Sequence, residues 1–322
     1  MGTTQRTPCG KLNAGALHVA HKLVEQRESL GVRVLNIAGA QVVDAGIEAP
    51  GGIGAGLLLS RACMANLANI TIQQGRVGDI ANPVVAVYTD QPVAACMASQ
   101  YAGWQIKTDD FFGMGSGPMR AAYGKEPLFD DIGCRESSTA IVGILEAGTM
   151  PTDAAVVMIA EKTNVNATRL HLLVAPTASL AGGVQIVARS VETAMHKLHE
   201  LGMDLSRVIT GFGAAPLPPV AKDDMKAIGR TNDAILYGAE VTLYVTGDDD
   251  SLADLAGKAP ASASRDYGEP FGDIFKRFDY DFYKIDPMLF SPAAVTLQNI
   301  ETGRTHTAGK VNHDVLGRSF FN

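Results

Sequence analysis

Residues 140–176, "AIVGILEAGTMPTDAAVVMIAEKTNVNATRLHLLVAP", decide the fold class of this chain. The runs 140–148 and 168–176 are short and almost uninterruptedly apolar, as in strands that are buried on both faces. Residues 151–164 between them have helical spacing and a proline in the first turn, where a helix tolerates the missing N–H. A helix between two buried strands predicts an α/β centre.

The same alternation continues on both sides of this segment, and hairpins stand near both ends. Residues 32–47 (VRVLNI–AGA–QVVDAGI) and 293–309 (AAVTLQNI–ETG–RTHTAG) each place two β-branched runs around a short turn. Residues 180–202 are the longest helical pattern and are predicted as one helix. We therefore expect an α/β fold with α+β character at the ends. The predicted division is a discontinuous α+β domain of residues 1–90 plus 287–322, and an α/β domain of residues 91–286.

Composition excludes several classes of function. The 322 residues are 46% hydrophobic and 19% charged, which supports a well-buried core. A net charge of -7 without a Lys/Arg cluster argues against a nucleic-acid partner, because phosphate neutralisation provides most of that affinity. No apolar run reaches 18 residues, and the start lacks the apolar segment of a secretory signal. We expect a cytoplasmic protein with no membrane contact.

Cysteines and histidines show no metal or disulfide pattern. Cys9, Cys63, Cys96 and Cys134 stand far apart in sequence, which predicts neither a disulfide framework nor a zinc site and indicates a reducing compartment. Two histidine pairs have i,i+3 spacing without a third ligand, and the sequence predicts no metal.

A glycine-rich run, GMGSGPMR, starts at Gly113. It is not a dinucleotide fingerprint, because the third glycine would have to stand at Pro118, and no P-loop sequence is present. Gly117 and Pro118 fit the N-cap and first position of a helix, where free N–H groups and Arg120 would attract an anion. The alternative is a tight strand-to-helix bend whose glycines only allow close packing.

The helical pattern of residues 180–202 has a polar stripe beside its apolar one. The stripe consists of Gln185, Arg189, Glu192, His196 and His199. Arg189 and Glu192 are three residues apart, so their side chains can touch. They form either an exposed ion pair of little energetic value or a positioned carboxylate with its charge partner in a cleft.

Five blocks together resemble the methenyltetrahydromethanopterin cyclohydrolase family: GAQVVDAGIEAPGGIGAG, GMGSGPMRA, QIVARSVETAMHKL, GFGAAPLPPVAKDD and RTNDAILYGAEV. The resemblance implies a two-domain fold with an interdomain pterin cleft, a homotrimer, and no metal or nucleotide cofactor. It implies reversible hydrolysis of the methenyl bridge of tetrahydromethanopterin to the N5-formyl derivative, in formaldehyde oxidation or in methanogenesis. Met119 and Ala239 depart mildly from the family pattern, which puts only fine substrate fit in doubt.

Residue roles follow from the resemblance. The family's Arg-x-x-Glu pair corresponds to Arg189 and Glu192, with Glu192 as the base that activates water and Arg189 as its partner. The implied substrate contacts are Lys107, Ser116, Gly117, Arg120 and Asn232. Two alternatives stay open, a pterin-binding homologue without catalysis and another α/β enzyme such as a nucleotide-linked oxidoreductase. The failed glycine fingerprints count against the oxidoreductase.

Overall fold

A computed structural model describes residues 9–322 of the protein, a mixed α/β structure built on two six-stranded sheets. The strands are β1 (Arg33–Ile37), β2 (Ala40–Asp44), β3 (Asn69–Val77), β4 (Ile80–Thr89), β5 (Trp104–Lys107), β6 (Phe112–Ser116), β7 (Ile141–Glu146), β8 (Leu170–Ala175), β9 (Val208–Pro216), β10 (Glu240–Val245), β11 (Ala294–Asn299) and β12 (Thr305–Gly309).

Helices connect most of these strands. The α-helices are α1 (Leu12–Glu25), α2 (Arg27–Leu30), α3 (Ile53–Cys63), α4 (Met119–Tyr123), α5 (Leu128–Ile132), α6 (Asp153–Lys162), α7 (Leu180–Val187), α8 (Ser190–Glu200), α9 (Asp224–Leu236), α10 (Asp249–Lys258), α11 (Phe271–Arg277) and α12 (His313–Phe321). Residues Val93–Gln100 form a π-helix.

The first sheet, called sheet A, has the strand order β1-β2-β8-β7-β6-β5. Its centre is the predicted strand–helix–strand unit, because β7 and β8 are parallel neighbours joined through α6. Apolar side chains of α1 and α3 pack on one face of the sheet, and those of α6 pack on the other. Sheet A is therefore a buried layer between two helical layers, as the apolar sequence of its central strands indicates.

The second sheet, called sheet B, has the order β12-β11-β10-β9-β4-β3. Its inner face packs against α8, and Val191, Met195 and Leu198 of that helix share one core cluster with the sheet. The outer face is open, and Tyr88 and Phe212 on it are 48% and 41% exposed. Within residues 9–322, sheet B is covered on one side only, which suits its mostly antiparallel strands.

The two predicted terminal hairpins are confirmed, but the predicted domain division does not follow the sheets. β1 pairs with β2 and β11 with β12, both antiparallel. Sheet A joins β2 to β8, and sheet B joins β4 to β9 and β10 to β11. Each of these pairings crosses a predicted boundary. The reason is that they are long-range, and local sequence patterns do not specify them.

Two predictions were wrong. Residues 180–202 form two helices, because α7 ends at Val187 and α8 begins at Ser190. Cys9 and Cys134, predicted as unpaired, form a disulfide with a Cα–Cα distance of 5.1 Å. They are separated by 125 positions in sequence, so only the fold brings them together. Cys63 and Cys96 are free and buried, as predicted.

No helix within residues 9–322 is long and apolar enough to cross a membrane. Within the same residues, no group of three or more His, Cys, Asp or Glu side chains is arranged to hold a metal ion.

Candidate active site

The site begins at the break between α7 and α8. Ala188 is the C-cap residue of α7, and its carbonyl accepts a hydrogen bond of 3.1 Å from the side-chain amide of Gln100. That amide takes the place of the helical N–H that would otherwise reach this carbonyl. Arg189 is the N-cap residue of α8, with φ -87° and ψ 5°. The break thus turns the Arg189 side chain away from a regular helical path and toward the π-helix.

The π-helix provides the wall that faces Arg189. Its wide turn is closed by the Tyr101 N–H, which donates to the Cys96 carbonyl at 2.8 Å. Gln100, its last residue, is fully buried, and its side-chain oxygen has no hydrogen-bond partner in the described chain. π-Helical turns are rare and concentrate at functional sites. Because Gln100 is the last residue of the π-helix, its backbone carbonyl has no helical partner and can accept a hydrogen bond from elsewhere in the fold.

Arg189 is held by two hydrogen bonds. One guanidinium nitrogen donates to the Gln100 carbonyl at 2.6 Å, and the other donates to Ser116 Oγ at 3.2 Å. Ser116 is the last residue of β6, and its Oγ lies 3.4 Å from Cys63 Sγ. Arg189 is only 7% exposed. The structure therefore brings the predicted Arg189 and Ser116 together where the helix on sheet B meets the end of a sheet A strand.

Glu192 lies one turn further along α8 and is 6% exposed. Its carboxylate has no hydrogen bond or ion pair with any residue in the range 9–322. Burial raises the pKa of Glu192 to about 7, and the charges of Arg189 and Arg120 oppose that increase. Arg189 therefore acts on Glu192 through its field, and the direct contact predicted from their spacing is absent. The result is an unpaired carboxylate whose pKa lies near neutrality.

Glycines in β9 set the position of α8. A Cβ atom on Gly213 would lie 2.5 Å from Ser190 Oγ, and one on Gly211 would lie 2.6 Å from a methyl group of Val191. Both distances are far below van der Waals contact. The sequence GFG therefore lets the first turn of α8, which carries Glu192, pack directly on the strand.

Arg120 has an internal position. Its guanidinium is fully buried, forms an ion pair with Glu126, and donates to the Met97 carbonyl of the π-helix at 3.2 Å. It also lies 4.7 Å from the centre of the Tyr101 ring. With these partners inside the protein, Arg120 supports the π-helix and Tyr101. Its role as a substrate contact stays a prediction.

The glycine run around Gly117 serves close packing. Gly117 has φ +86°, its N–H donates to the Ser99 carbonyl at 2.8 Å, and a Cβ would lie 2.5 Å from an Ile144 methyl group. The following helix α4 has five residues and its N-cap is Pro118, one position later than predicted. The alternative of a tight bend therefore describes Gly117 better than an anion site.

Two predicted substrate contacts lie apart from Arg189. Lys107 is exposed and pairs with Phe112, at the opposite end of the β5–β6 hairpin from Ser116. Asn232 is half-buried in α9, and its amide donates to the Ile228 carbonyl of its own helix at 2.8 Å. The structure does not bring Lys107 or Asn232 next to the Arg189–Glu192 group, so their roles stay predictions.

Sequence reasoning missed Gln100 and Tyr101. Tyr101 stacks on His196, with ring centroids 4.9 Å apart, and its hydroxyl lies 3.3 Å from His196 Nε2. Nothing in the composition of the segment before Tyr101 indicates a π-turn. The sequence feature that could have indicated a functional role for this segment is the polar Gln-Tyr pair directly after an apolar run.

Comparison with known proteins gives matches over nearly the whole chain. A family model described as "Cyclohydrolase (MCH)" matches residues 11–320. A protein of Rhodopirellula baltica named methenyltetrahydromethanopterin cyclohydrolase is 46% identical, over 91% of this chain and 90% of its own. Proteins of that name from Methylobacillus flagellatus (44% identical, over 92% and 91%) and Methanococcoides burtonii (40%, over 96% and 98%) are also similar. The chain belongs to the cyclohydrolase (MCH) family.

Proposed function

We propose that the protein hydrolyses 5,10-methenyltetrahydromethanopterin reversibly to 5-formyltetrahydromethanopterin, with Glu192 as the base. The family membership and the names of the relatives support the reaction. The observation that supports the assignment of the base is the Glu192 carboxylate, which is 6% exposed and has no protein partner in the described chain. An unpaired carboxylate with a pKa of about 7 can both accept and return a proton near neutral pH.

The proposed steps need few groups. The methenyl carbon is part of an amidinium cation and is already electrophilic, so neither a metal nor a nucleotide cofactor is required. Glu192 removes one proton from a water molecule while the oxygen of that water bonds to the methenyl carbon. The C–N10 bond then breaks, the remaining hydroxyl proton is transferred to N10, and the oxygen stays as the formyl carbonyl.

Arg189 has two roles in this proposal. Its charge favours the ionised form of Glu192 against the effect of burial. Its bonds to the Gln100 carbonyl and Ser116 Oγ hold the guanidinium in place without using the carboxylate. Glu192 therefore keeps its lone pairs for water, and the cationic substrate is attracted to the negative carboxylate.

The proposal extends to assembly and location. We infer a homotrimer from the family resemblance, and the open outer face of sheet B, with exposed Tyr88 and Phe212, is one apolar surface that subunits could cover. A solution mass three times the 33.9 kDa of one chain would test this. We place the protein in the cytoplasm, where a diffusible one-carbon carrier passes between enzymes.

Loss of the methenyl chromophore tests the reaction. Wild-type protein should remove the absorbance of methenyl-tetrahydromethanopterin far above the spontaneous rate. Glu192→Gln should lower kcat by at least about a hundredfold, the size of a general-base contribution. Glu161→Gln, an equivalent change at an exposed position of α6, should leave kcat unchanged.

The outcomes separate the alternatives. Background rates with all three proteins, together with tight binding of the substrate, would indicate a binding protein. Turnover of methenyl-tetrahydrofolate alone would indicate a different carrier. Full activity of Glu192→Gln would overturn the assignment of the base.

A further inference from the structure

The proposed reaction leaves one proton to be removed. A cationic methenyl substrate and one water give a neutral formyl product, so each turnover releases one proton beyond the one that N10 takes. Glu192, which would receive that proton, is 6% exposed. A base this deeply buried has little direct contact with bulk water, and the next turnover requires it to be ionised again.

Helix α8 presents a series of titratable groups that starts at Glu192. His196 and Glu200 follow at intervals of four residues, which places all three on one face of the helix. Side-chain exposure increases along this face, to 23% at His196 and 42% at Glu200. His196 Nε2 lies 3.6 Å from a Glu200 carboxylate oxygen. The face thus leads in two steps from the buried base to solvent.

The surroundings of His196 suit proton transfer. Tyr101 stacks on the imidazole and places its hydroxyl 3.3 Å from Nε2, which restrains the ring. Burial raises the pKa of Tyr101 to about 12, so this hydroxyl stays protonated. Burial lowers the pKa of His196. The charge of Glu200 raises this pKa, and the charges of His199, Lys197 and Arg120 lower it further. A neutral imidazole can accept a proton at neutral pH.

We propose that His196 relays the proton from Glu192 to Glu200 and solvent, an inference that rests on the proposed function. The O–H bond of the protonated Glu192 breaks, directly or through one water, and an N–H bond forms on the imidazole. The imidazolium then gives a proton to Glu200, which releases it to bulk water. Glu192 is ionised again, and the imidazole returns to its neutral form.

A purely structural role for His196 is the competing explanation, because the imidazole also packs on Tyr101. Buffer dependence distinguishes the two. A small base in solution can replace a missing proton relay, but it cannot replace a missing packing contact.

The experiment compares His196→Gln with His18→Gln. His18 is an exposed residue of α1, which packs on sheet A. The kcat of each variant would be measured in dilute buffer and with added imidazole, after subtraction of the uncatalysed rate in the same buffer. His196→Gln should lose about tenfold or more in kcat in dilute buffer, with KM unchanged, and recover with imidazole. His18→Gln should match wild type under both conditions.

Either of two results would overturn the relay: full kcat of His196→Gln in dilute buffer, or a loss that imidazole does not restore. Glu200→Gln gives a second test that leaves the Tyr101–His196 stack in place, and it should show a smaller loss that buffer also restores. Wild-type protein without any turnover would instead overturn the proposed function. The relay is thus tested separately from the reaction.

Discussion

At the scale of single residues, the pKa of Glu192 results from opposing effects. Burial raises it from 4.5, the guanidinium groups of Arg189 and Arg120 lower it, and burial dominates, which leaves the pKa at about 7. Neither guanidinium forms an ion pair with Glu192, because Arg189 is bonded to Gln100 and Ser116 and Arg120 to Glu126. The two arginines tune the carboxylate from a distance and leave it free to bind water.

This pKa predicts the pH dependence of the reaction. The base must be ionised, so kcat/KM should fall about tenfold for each unit of pH below about 7 and level off above it. In the complex, the substrate cation favours the ionised carboxylate, so the kcat profile should fall at a lower pH than kcat/KM. Initial rates between pH 5 and 9 check both profiles. A flat kcat/KM profile across pH 7 would contradict the role of Glu192.

The same pKa affects stability, and the Glu192→Gln variant makes that measurable. The folded-state pKa of about 7 lies above the reference value of 4.5. The folded chain therefore binds more protons between these values, and its free energy of unfolding decreases as the pH rises through this window. Above pH 7 Glu192 is ionised in both the folded and the unfolded chain, so the loss of stability caused by its burial has reached its full size. Glu192→Gln should therefore gain Tm relative to wild type at pH 8, and gain less at pH 5.

Helical spacing and family resemblance singled out Arg189 and Glu192, and their catalytic roles stay predictions. Ser116, predicted as a substrate contact, lies beside Arg189. The spacing allows Arg189 and Glu192 to touch, but the guanidinium is instead bonded to a distant carbonyl, that of Gln100. Helical spacing gives the neighbours within one helix, and it has no information about partners from elsewhere in the fold.

At the scale of elements, the break between α7 and α8 determines the site. Residues 180–202 contain no proline, and the glycines at 182 and 183 lie well before the break. The break coincides with a tertiary hydrogen bond, from the Gln100 amide to the Ala188 carbonyl. A helix interrupted by a partner that is 88 positions away in sequence cannot be recognised from its own pattern.

The close approach of α8 to β9 predicts the effect of Gly213→Ala. The new methyl group would lie 2.5 Å from Ser190 Oγ and 3.1 Å from a Val191 methyl group, so the Ser190 hydroxyl must rotate and α8 must shift slightly. We expect a loss of about 1–3 kcal/mol in the free energy of unfolding, the usual cost of overpacking. Because Glu192 follows Val191 directly, kcat should also fall. Urea unfolding and steady-state kinetics measure the two effects.

A matched glycine change provides the control. Gly257 lies inside α10, and a Cβ there would meet no atom within 4 Å. Gly257→Ala should stabilise the protein by about 0.5–1 kcal/mol through helix propensity and leave kcat unchanged. If Gly213→Ala behaved like Gly257→Ala, the packing of α8 on β9 would not be what positions Glu192.

At the scale of the whole molecule, local alternation was enough to predict the α/β class but not the strand partners. The β7–α6–β8 unit and the terminal hairpins are made of neighbours in sequence. Sheet B, in contrast, places β4 beside β9 across more than a hundred residues. Non-local pairing depends on how whole layers fit together. Local patterns could not indicate the pairings that link the two predicted domains for that reason, and the domain limits stay a prediction.

The disulfide between Cys9 and Cys134 is also a property of the whole fold. It joins the start of the described chain to the segment after α5, beside a second link in which the Asn13 amide donates to Glu136 at 2.8 Å. Phe129 and Cys134 pack there with Ala98 of the π-helix. The disulfide therefore supports the residues that pack against the π-helix, and its loss should loosen the first turn of α1.

Cys9→Ser tests this link, with a predicted loss of about 2–4 kcal/mol in the free energy of unfolding under oxidising conditions, as for other disulfides that close long loops. A reductant should lower the Tm of wild type to that of Cys9→Ser and leave the variant unchanged. Alkylation of the unfolded, unreduced wild type should label only the two free thiols, Cys63 and Cys96. Four labelled thiols, or equal Tm values without reductant, would show that the two cysteines stay reduced. Such a result would support the reducing compartment that the cysteine spacing predicts.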